Sequence, residues 1–398
     1  MKIFFRIVDI FILLILILIF KNNFFPTNLT SGDWHFFFQN SLNGFVPGIW
    51  GWDFSYNNGL GGSDIFLLGL NSYFLNGSYL FLKILNIPWW LTERIMWYWP
   101  FLIISIFSSY YMNKIFFKEG WIFSVIIFLT NTYTLLLIGG GQVGVAIAYS
   151  LSPLILGIYA NVLKTSYRKS EYSELITKIL IAGVVLGIQI FFDLRIAYIT
   201  FGAVILLFFF NIKNISKKNI FSFLSSCIIA FMLNYFWIFP QSLMNENPIQ
   251  QFGPIYSSEG AVKFFSFANF ENAFGLLHPN WPQNIFGKVE FMKPEFLLLP
   301  ILAYSSLFFI KKNEKNDEEN QQNMYVLFFA LLGLIGTFLA KGANDPFGFI
   351  YIWLFKHVPG FIMFRDPTKW YLLIVLAYSI LIPYTISNIY KILKRRFS

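Results

Sequence analysis

The sequence predicts an all-α, polytopic membrane protein with about ten transmembrane helices and large outer loops, and three observations carry that expectation. Hydrophobic residues make up 57% of the 398-residue chain and charged residues only 12%, about half the charged share of a soluble protein. Several apolar runs approach the roughly 20 residues that a helix needs to cross a bilayer. Lys and Arg gather in short segments between alternate runs, as they do in cytoplasmic loops. The formal charge of +9 is therefore read as loop charge at a membrane, and no nucleic-acid partner is expected. The single cysteine, Cys227, excludes an intramolecular disulfide and a cysteine metal cluster.

In chain order, spans are expected at 7–20, 95–112, 120–138, 143–163, 179–192, 196–211, 220–239, 295–310, 324–340 and 370–387. The first follows MKIFFR and lacks a small-x-small cleavage pattern, so it reads as a membrane helix rather than a removed signal. The fifth and sixth are divided by FFDLRIAY, with Asp193 and Arg195 at the turn. With both termini inside, the inner segments are MKIFFR, NKIFFKEG, KTSYRKSEYSELITK, NIKNISKKN, KKNEKNDEENQQN and YKILKRRFS. These hold eighteen of the 29 Lys and Arg residues, which supports that orientation in a cell membrane.

One domain, 1–398, then exposes three outer pieces at 21–94, 240–294 and 341–369. They contain His35, His278 and His357, and the acids Asp33, Asp53, Asp64, Glu93, Glu259, Glu271, Asp345 and Asp366. Polar chemistry is expected on that face. Residues 64–87 read as helix in or near the interface, and PWWLTERIMWYW (88–99) as an aromatic belt entering the second span.

Each motif has a bland and a sharp reading. GGGQVG spells GxGxxG with Gly139, Gly141 and Gly144, but the dinucleotide fingerprint needs a preceding strand in a βαβ unit. Between two apolar runs it reads as a tight outer hairpin. NLT (28–30) and NGS (76–78) are sequons, meaningful only where glycosylation machinery exists. The histidines show no metal-ligand spacing; His278, and His35 beside Trp34, are candidates for substrate contact. Asp193 and Arg195 at membrane depth must be paired or line a cavity, so a structural ion pair and a functional role both fit. In FRDPTKW (364–370), Pro367 fixes the backbone between Arg365 and Lys369, and Asp366 is placed to cap the helix that follows. Arg can fork onto a phosphate, Lys adds charge, and a helix start offers free N–H groups. The bland alternative is a capped helix with an interfacial Lys. Asp33, in SGDWHFFF just beyond the first span, either caps a helix running into WHFFFQNSLNGF or serves as a base facing that phosphate site.

The layout of these motifs resembles the GT-C superfamily of membrane glycosyltransferases, and within it the membrane core of AftD-type arabinofuranosyltransferases. The resemblance rests on GDW (32–34) opening the first outer loop and GIWGWDFSYNNGLGG (48–62) within it. GGGQ followed by AYSLSP (148–153), and FRDP (364–367) before a late span, complete it. Those relatives are much longer and carry outer carbohydrate-binding modules not found in this sequence, so the sugar and the acceptor stay open. The resemblance implies a GT-C-like fold, a sugar donor carried on polyprenyl phosphate, and a glycan or lipid hydroxyl acceptor. It implies inversion in a single displacement. The catalytic aspartate of the first outer loop maps by position onto Asp33, with Asp53 as second choice. Arg365, Lys369 and Arg195 would bind the donor phosphate. Trp34, His35, Trp50, Trp52, Asp193 and His278 would line the sugar cleft. No cofactor is expected. Some relatives hold a divalent cation on acidic residues, and the first loop has no DxD.

Two rival classes remain: a transporter or flippase for lipid-linked saccharides, and a non-catalytic assembly partner. A transporter usually needs polar groups deep in several spans or broken helices at mid-membrane. The expected orientation has a direct test. With Cys227→Ser as background, a cysteine at Ser55 should react with an impermeant thiol reagent on sealed cells and one at Asn316 should not. Labelling at Asn316 would overturn the map.

Overall fold

The apolar runs fold as helices, with breaks at Asn131 and Asp193. The computed structural model describes residues 20–29, 32–34, 68–165, 172–243, 258–278, 294–310 and 317–397, together with positions 14 and 18. Among them every regular element is helical. Helix α1 (Leu68–Ser78) runs on through a π-helical turn to Ile84. The short α2 (Trp89–Glu93) leads through another π-helical turn into α3 (Trp99–Phe116). Next come α4 (Trp121–Leu129), α5 (Thr132–Gly139), α6 (Val143–Thr165), α7 (Tyr172–Phe192), α8 (Leu194–Phe210) and α9 (Lys217–Leu243). Two short helices, α10 (Glu259–Phe265) and α11 (Phe270–Phe274), and then α12 (Leu298–Tyr304) precede α13 (Asp317–Ala340). The chain closes with α14 (Gly348–His357) and α15 (Tyr371–Phe397), the latter entered through a 3-10 turn at Pro367–Trp370.

Among the described residues five helices, in α6, α7, α9, α13 and α15, are long and apolar enough to cross a membrane. A sixth span exists if α4 and α5 count as one, but they meet at 47°. The uninterrupted span expected at 120–138 is therefore corrected to a broken one. The reason is local: Asn131 takes the Thr134 N–H on its side-chain oxygen and donates to Ile127 and Phe128 carbonyls, diverting the backbone from a continuous helix. Tyr149 of α6 holds the break from outside by donating to the Phe128 carbonyl at 2.7 Å. Residues 294–309 also fall short of a regular span. Their central α-helix of 7 residues is flanked by 3-10 turns. The expected break at Asp193 is present, and α8, at 17 residues, is shorter than the roughly 20 a perpendicular crossing takes. The span expected at 7–20 lies almost wholly outside the described residues.

Burial sorts the helices. The apolar window of α6 is 94% buried, whereas that of α9 is 28% buried. Helix α15 is buried without interruption from Tyr371 to Pro383. Large apolar side chains such as Phe221, Ile228 and Met232 on α9 stand exposed, the outward greasy face of a membrane helix. Close approach is bought with glycine. A Cβ on Gly183 would sit 2.7 Å from Ile229 and one on Gly187 2.8 Å from Leu233, so α7 and α9 meet along a small-xxx-small stripe. Asn234 ties the same seam to the Gly187 carbonyl at 2.9 Å. Gly183→Ala should therefore overpack and cost about 1–3 kcal/mol. Gly202→Ala, where nothing lies within 4 Å of the new carbon, should be neutral or mildly stabilising. Thermal denaturation of both variants checks the contrast.

Candidate functional site

The chain folds several of the predicted motifs onto one end of the bundle. The α5–α6 connection is a tight turn, with Gly141 at φ +60. Onto it lies the start of the first loop: the Asp33 N–H donates to the Gly140 carbonyl at 2.8 Å. Gly32 adopts φ +57, and a Cβ there would stand 2.1 Å from the Gly140 oxygen, so only glycine fits. GDW and GGGQ, over a hundred residues apart, thus pack against each other, and the Asp33 side chain is left exposed.

Trp34 is a buried anchor. It is 5% exposed, stacks on Trp89 at 5.5 Å and meets Phe74 edge-on at 4.6 Å. This corrects its expected role as a sugar-stacking surface, because the ring faces are spent on protein. Its indole N–H points to Glu93 at 3.4 Å, and Glu93 also accepts from the Leu29 N–H at 2.5 Å. The neighbouring Arg94 donates to the Phe25 carbonyl at 2.6 Å. Glu93 and Arg94 are both fully buried and lash Phe25, Leu29 and Trp34 to the end of α2. Sequence reasoning missed this. Its signal was an acid–base dipeptide inside an otherwise aromatic belt.

Two ion pairs of similar design follow. Asp193 caps α8, accepting from the Arg195 and Ile196 N–H groups at 2.9 and 3.1 Å, while Arg195 Nη2 reaches it at 2.6 Å. Asp366 caps the turn before α15, accepting from the Thr368 N–H at 3.0 Å and hydroxyl at 2.6 Å, and from Lys369 Nζ at 2.7 Å. The capping role expected of Asp366 is present. The interfacial position considered for Lys369 is not, because its side chain is 4% exposed and bound to Asp366. The fields of the two pairs overlap: Lys369 acts on Asp193, and Asp366 acts on Arg195. Burial pushes the Asp193 carboxyl up, but Arg195 and the Ile196 N–H outweigh it and hold the group below its ordinary value. For Asp366 burial is likewise overcome, by Lys369 and Thr368, and the carboxyl falls to about 2.

Tyr133, at the start of α5, lies in the field of Asp366, Asp193 and Arg195. It is fully buried. His278, 4% exposed, stacks between Tyr133 at 5.7 Å and Tyr371 at 4.9 Å. Its backbone N–H is held by the Thr132 hydroxyl at 2.7 Å. His278 is thus packed beside the charged cluster rather than opened to solvent. Arg365 is half-buried, with its guanidinium 5.6 Å above the Phe265 ring. Five predicted residues, Asp193, Arg195, His278, Arg365 and Lys369, therefore come from the starts of α8 and α15 and the loop between α11 and α12. His35, Trp50, Trp52 and Asp53 lie outside the described residues. Among those described, no three His, Cys, Asp or Glu residues are placed to share a metal.

Removing one member of the Asp366–Lys369 pair strands the other. Asp366→Asn should destabilise by about 3–5 kcal/mol, and Asp366→Asn with Lys369→Met should recover part of it. The pH dependence has a definite sign. The folded carboxyl titrates below its ordinary 3.8, so its contribution, about 2 kcal/mol, is full above pH 3.8 and disappears as pH falls towards 2. Wild-type acid unfolding should show that slope and the double variant should not.

Compared with known proteins, the chain matches no family model, no curated protein and no solved structure.

Proposed function

We propose that the chain is a multi-pass membrane glycosyltransferase of GT-C type, with its termini cytoplasmic, that moves a sugar from a polyprenyl-phosphate donor to a hydroxyl acceptor on the outer face. The observation that carries this reading is how the two ion pairs are turned. Arg195 exposes 39% of its side chain and Asp193 6%, whereas Asp366 exposes 26% and Lys369 4%. One pair offers its cation and the other its carboxylate. A sugar phosphate asks for that combination: a guanidinium for the phosphate oxygens and an acceptor for a ring hydroxyl. With Arg365, the two ion pairs carry a formal charge of +1. Helix α5 separates the Gly140 anchor of Asp33 from Tyr133 by roughly 10 Å along its axis, the length scale of one sugar ring with its phosphate.

In this mechanism Asp33 takes the proton from the acceptor hydroxyl. The acceptor oxygen bonds to the anomeric carbon as the carbon–oxygen bond to phosphate breaks, inverting the centre. Arg195 and Arg365 take up the charge that develops on the leaving phosphate. Lys369 acts at one remove, by holding Asp366 in place. The acceptor proton ends on Asp33 and the electron pair on the phosphate, so the step balances.

Asp33→Asn tests this. Loss of a general base costs about 10²–10⁴-fold in rate, with stability unchanged because the side chain is exposed. Turnover of a polyprenyl-phosphate sugar by the purified variant at the wild-type rate would remove Asp33 from the mechanism. A second reading, transport of lipid-linked saccharides, draws on the broken span at Thr130–Asn131 and on Gln189 and Asn234, polar and fully buried within α7 and α9. Movement of labelled lipid across proteoliposomes without formation of a glycosidic bond would favour it.

A further inference from the structure

Away from the charged end, a cavity of about 390 Å³ opens between α3, α6 and α7, within the roughly 300–1,000 Å³ of small-ligand pockets. Helix α6 packs against both α3 and α7 and forms the floor. Tyr111 of α3 lies close over it, because a Cβ on Gly157 would stand 2.9 Å from the Tyr111 ring. The Asn161 amide donates to the Tyr111 hydroxyl at 3.4 Å. Across the cavity Lys178 and Glu174 of α7 form an ion pair at 2.7 Å, with side chains 18% and 54% exposed. Thr177 lines the same wall.

The polar groups share one end of the cavity, and apolar rows lead away from it. On α3, residues four apart lie on one face, so Tyr111 continues into Phe107 and Ile103, both exposed. Phe107 stacks on Tyr111 at 6.4 Å. On α7 the row passes from Lys178 to Ile181, Val184 and Ile188, all exposed. On the floor it passes from Asn161 to Ile158 and Leu154. The three rows run the same way in space. Lys164 near the end of α6 reaches the Ile115 carbonyl near the end of α3. Gln189 near the end of α7 holds the Ala148 carbonyl near the start of α6 at 2.9 Å, so α7 runs back along α6.

The level of the cavity is set by α7. Glu174 and Asp193 stand at its two ends, roughly 28 Å apart along the axis, close to the roughly 30 Å of a bilayer's hydrocarbon core. The polar end therefore lies at headgroup depth in the leaflet opposite the Asp193 and Asp366 pairs. A polar pocket at that depth, opening onto an apolar groove that follows the membrane normal, has the shape of a lipid. Charge complementarity selects the headgroup. Lys178 suits a phosphate as a point charge. Glu174 accepts from an ammonium N–H, which a primary amine supplies and a trimethylammonium lacks. A headgroup with a phosphate and no cation leaves Glu174 without a partner in the ligand.

We infer that the cavity between α3, α6 and α7 binds a phospholipid whose headgroup carries a phosphate and a primary amine, with acyl chain laid along the groove towards Ile103 and Ile188. The site is independent of the transferase reading and lies at the other end of α7 from the residues that serve it.

Native mass spectrometry of the purified, delipidated full chain tests it, titrated separately with phosphatidylethanolamine, phosphatidylcholine and phosphatidylglycerol of the same acyl chains. The first phosphatidylethanolamine should bind about fivefold more tightly than either other lipid, the scale of one charge-assisted hydrogen bond at a half-exposed site. Glu174→Gln should remove the preference over phosphatidylcholine, and Lys178→Met should weaken both. Thr177→Trp, which fills the cavity from an exposed position, should lose the tight first event. Lys213→Met, an exposed cation outside the cavity, should change nothing. Equal affinity for the three lipids, tighter binding of phosphatidylglycerol, or a preference that survives Glu174→Gln and Thr177→Trp would overturn the assignment.

Discussion

A charge inside an apolar bundle persists only when a partner and fixed hydrogen-bond donors are built around it. The charged end of this molecule obeys that constraint twice. Asp193 and Asp366 each spend one face on backbone N–H groups at a helix start and the other on a cation two or three residues later. The same residue thus begins a helix, neutralises a base and aims it. Remove either aspartate and three things fail together, so the helix starts at α8 and α15 and the placing of the charges beside them share one cause.

Glycine does the complementary work. Gly32 against Gly140, Gly183 against Ile229, and Gly336 against Leu373 are all places where a Cβ would come within 2.7 Å or less of its neighbour. The first sets the loop that presents Asp33, and the others set the spacing of the helices below. Hydrogen bonds then reach across sequence to lock what glycine lets approach. Tyr371 and Tyr378, two turns apart on α15, hold the carbonyls of Leu277 and Phe274, and Asn344 holds those of Ser266 and Ala268. The segment from Ser266 to His278 is thereby stitched to α15 and to the end of α13.

Much of the helical layout was legible because apolar runs and their breakers are local signals. The limits of α6 and the break at Asp193 follow from them. So does the cap at Asp366, since Asp before Pro announces a helix start. What was not legible depends on partners far away in sequence. Asn131 looks unremarkable in FLTNTYT until Tyr149 is placed beside it. Trp34 reads as an open aromatic until Trp89 and Phe74 cover it. Lys369, four residues from Arg365, reads as its ally at an anion site, yet three residues from Asp366 it is that carboxylate's partner. Spacing alone does not choose between them. The meeting of GDW with GGGQ needed the backbone at Gly32, whose left-handed φ has no sequence signal beyond the glycine itself.

The opposed orientation of the two ion pairs has a consequence for how a ligand finds them. Each pair is a compact dipole, with the cation the more exposed pole in one and the carboxylate in the other, and the field of a dipole falls off faster than that of a charge. What is left of either field is screened within about 8 Å at physiological ionic strength. Such an end has a short electrostatic reach into water. A ligand already confined to the bilayer, diffusing in two dimensions past the exposed faces of the bundle, would lose nothing by so short a reach.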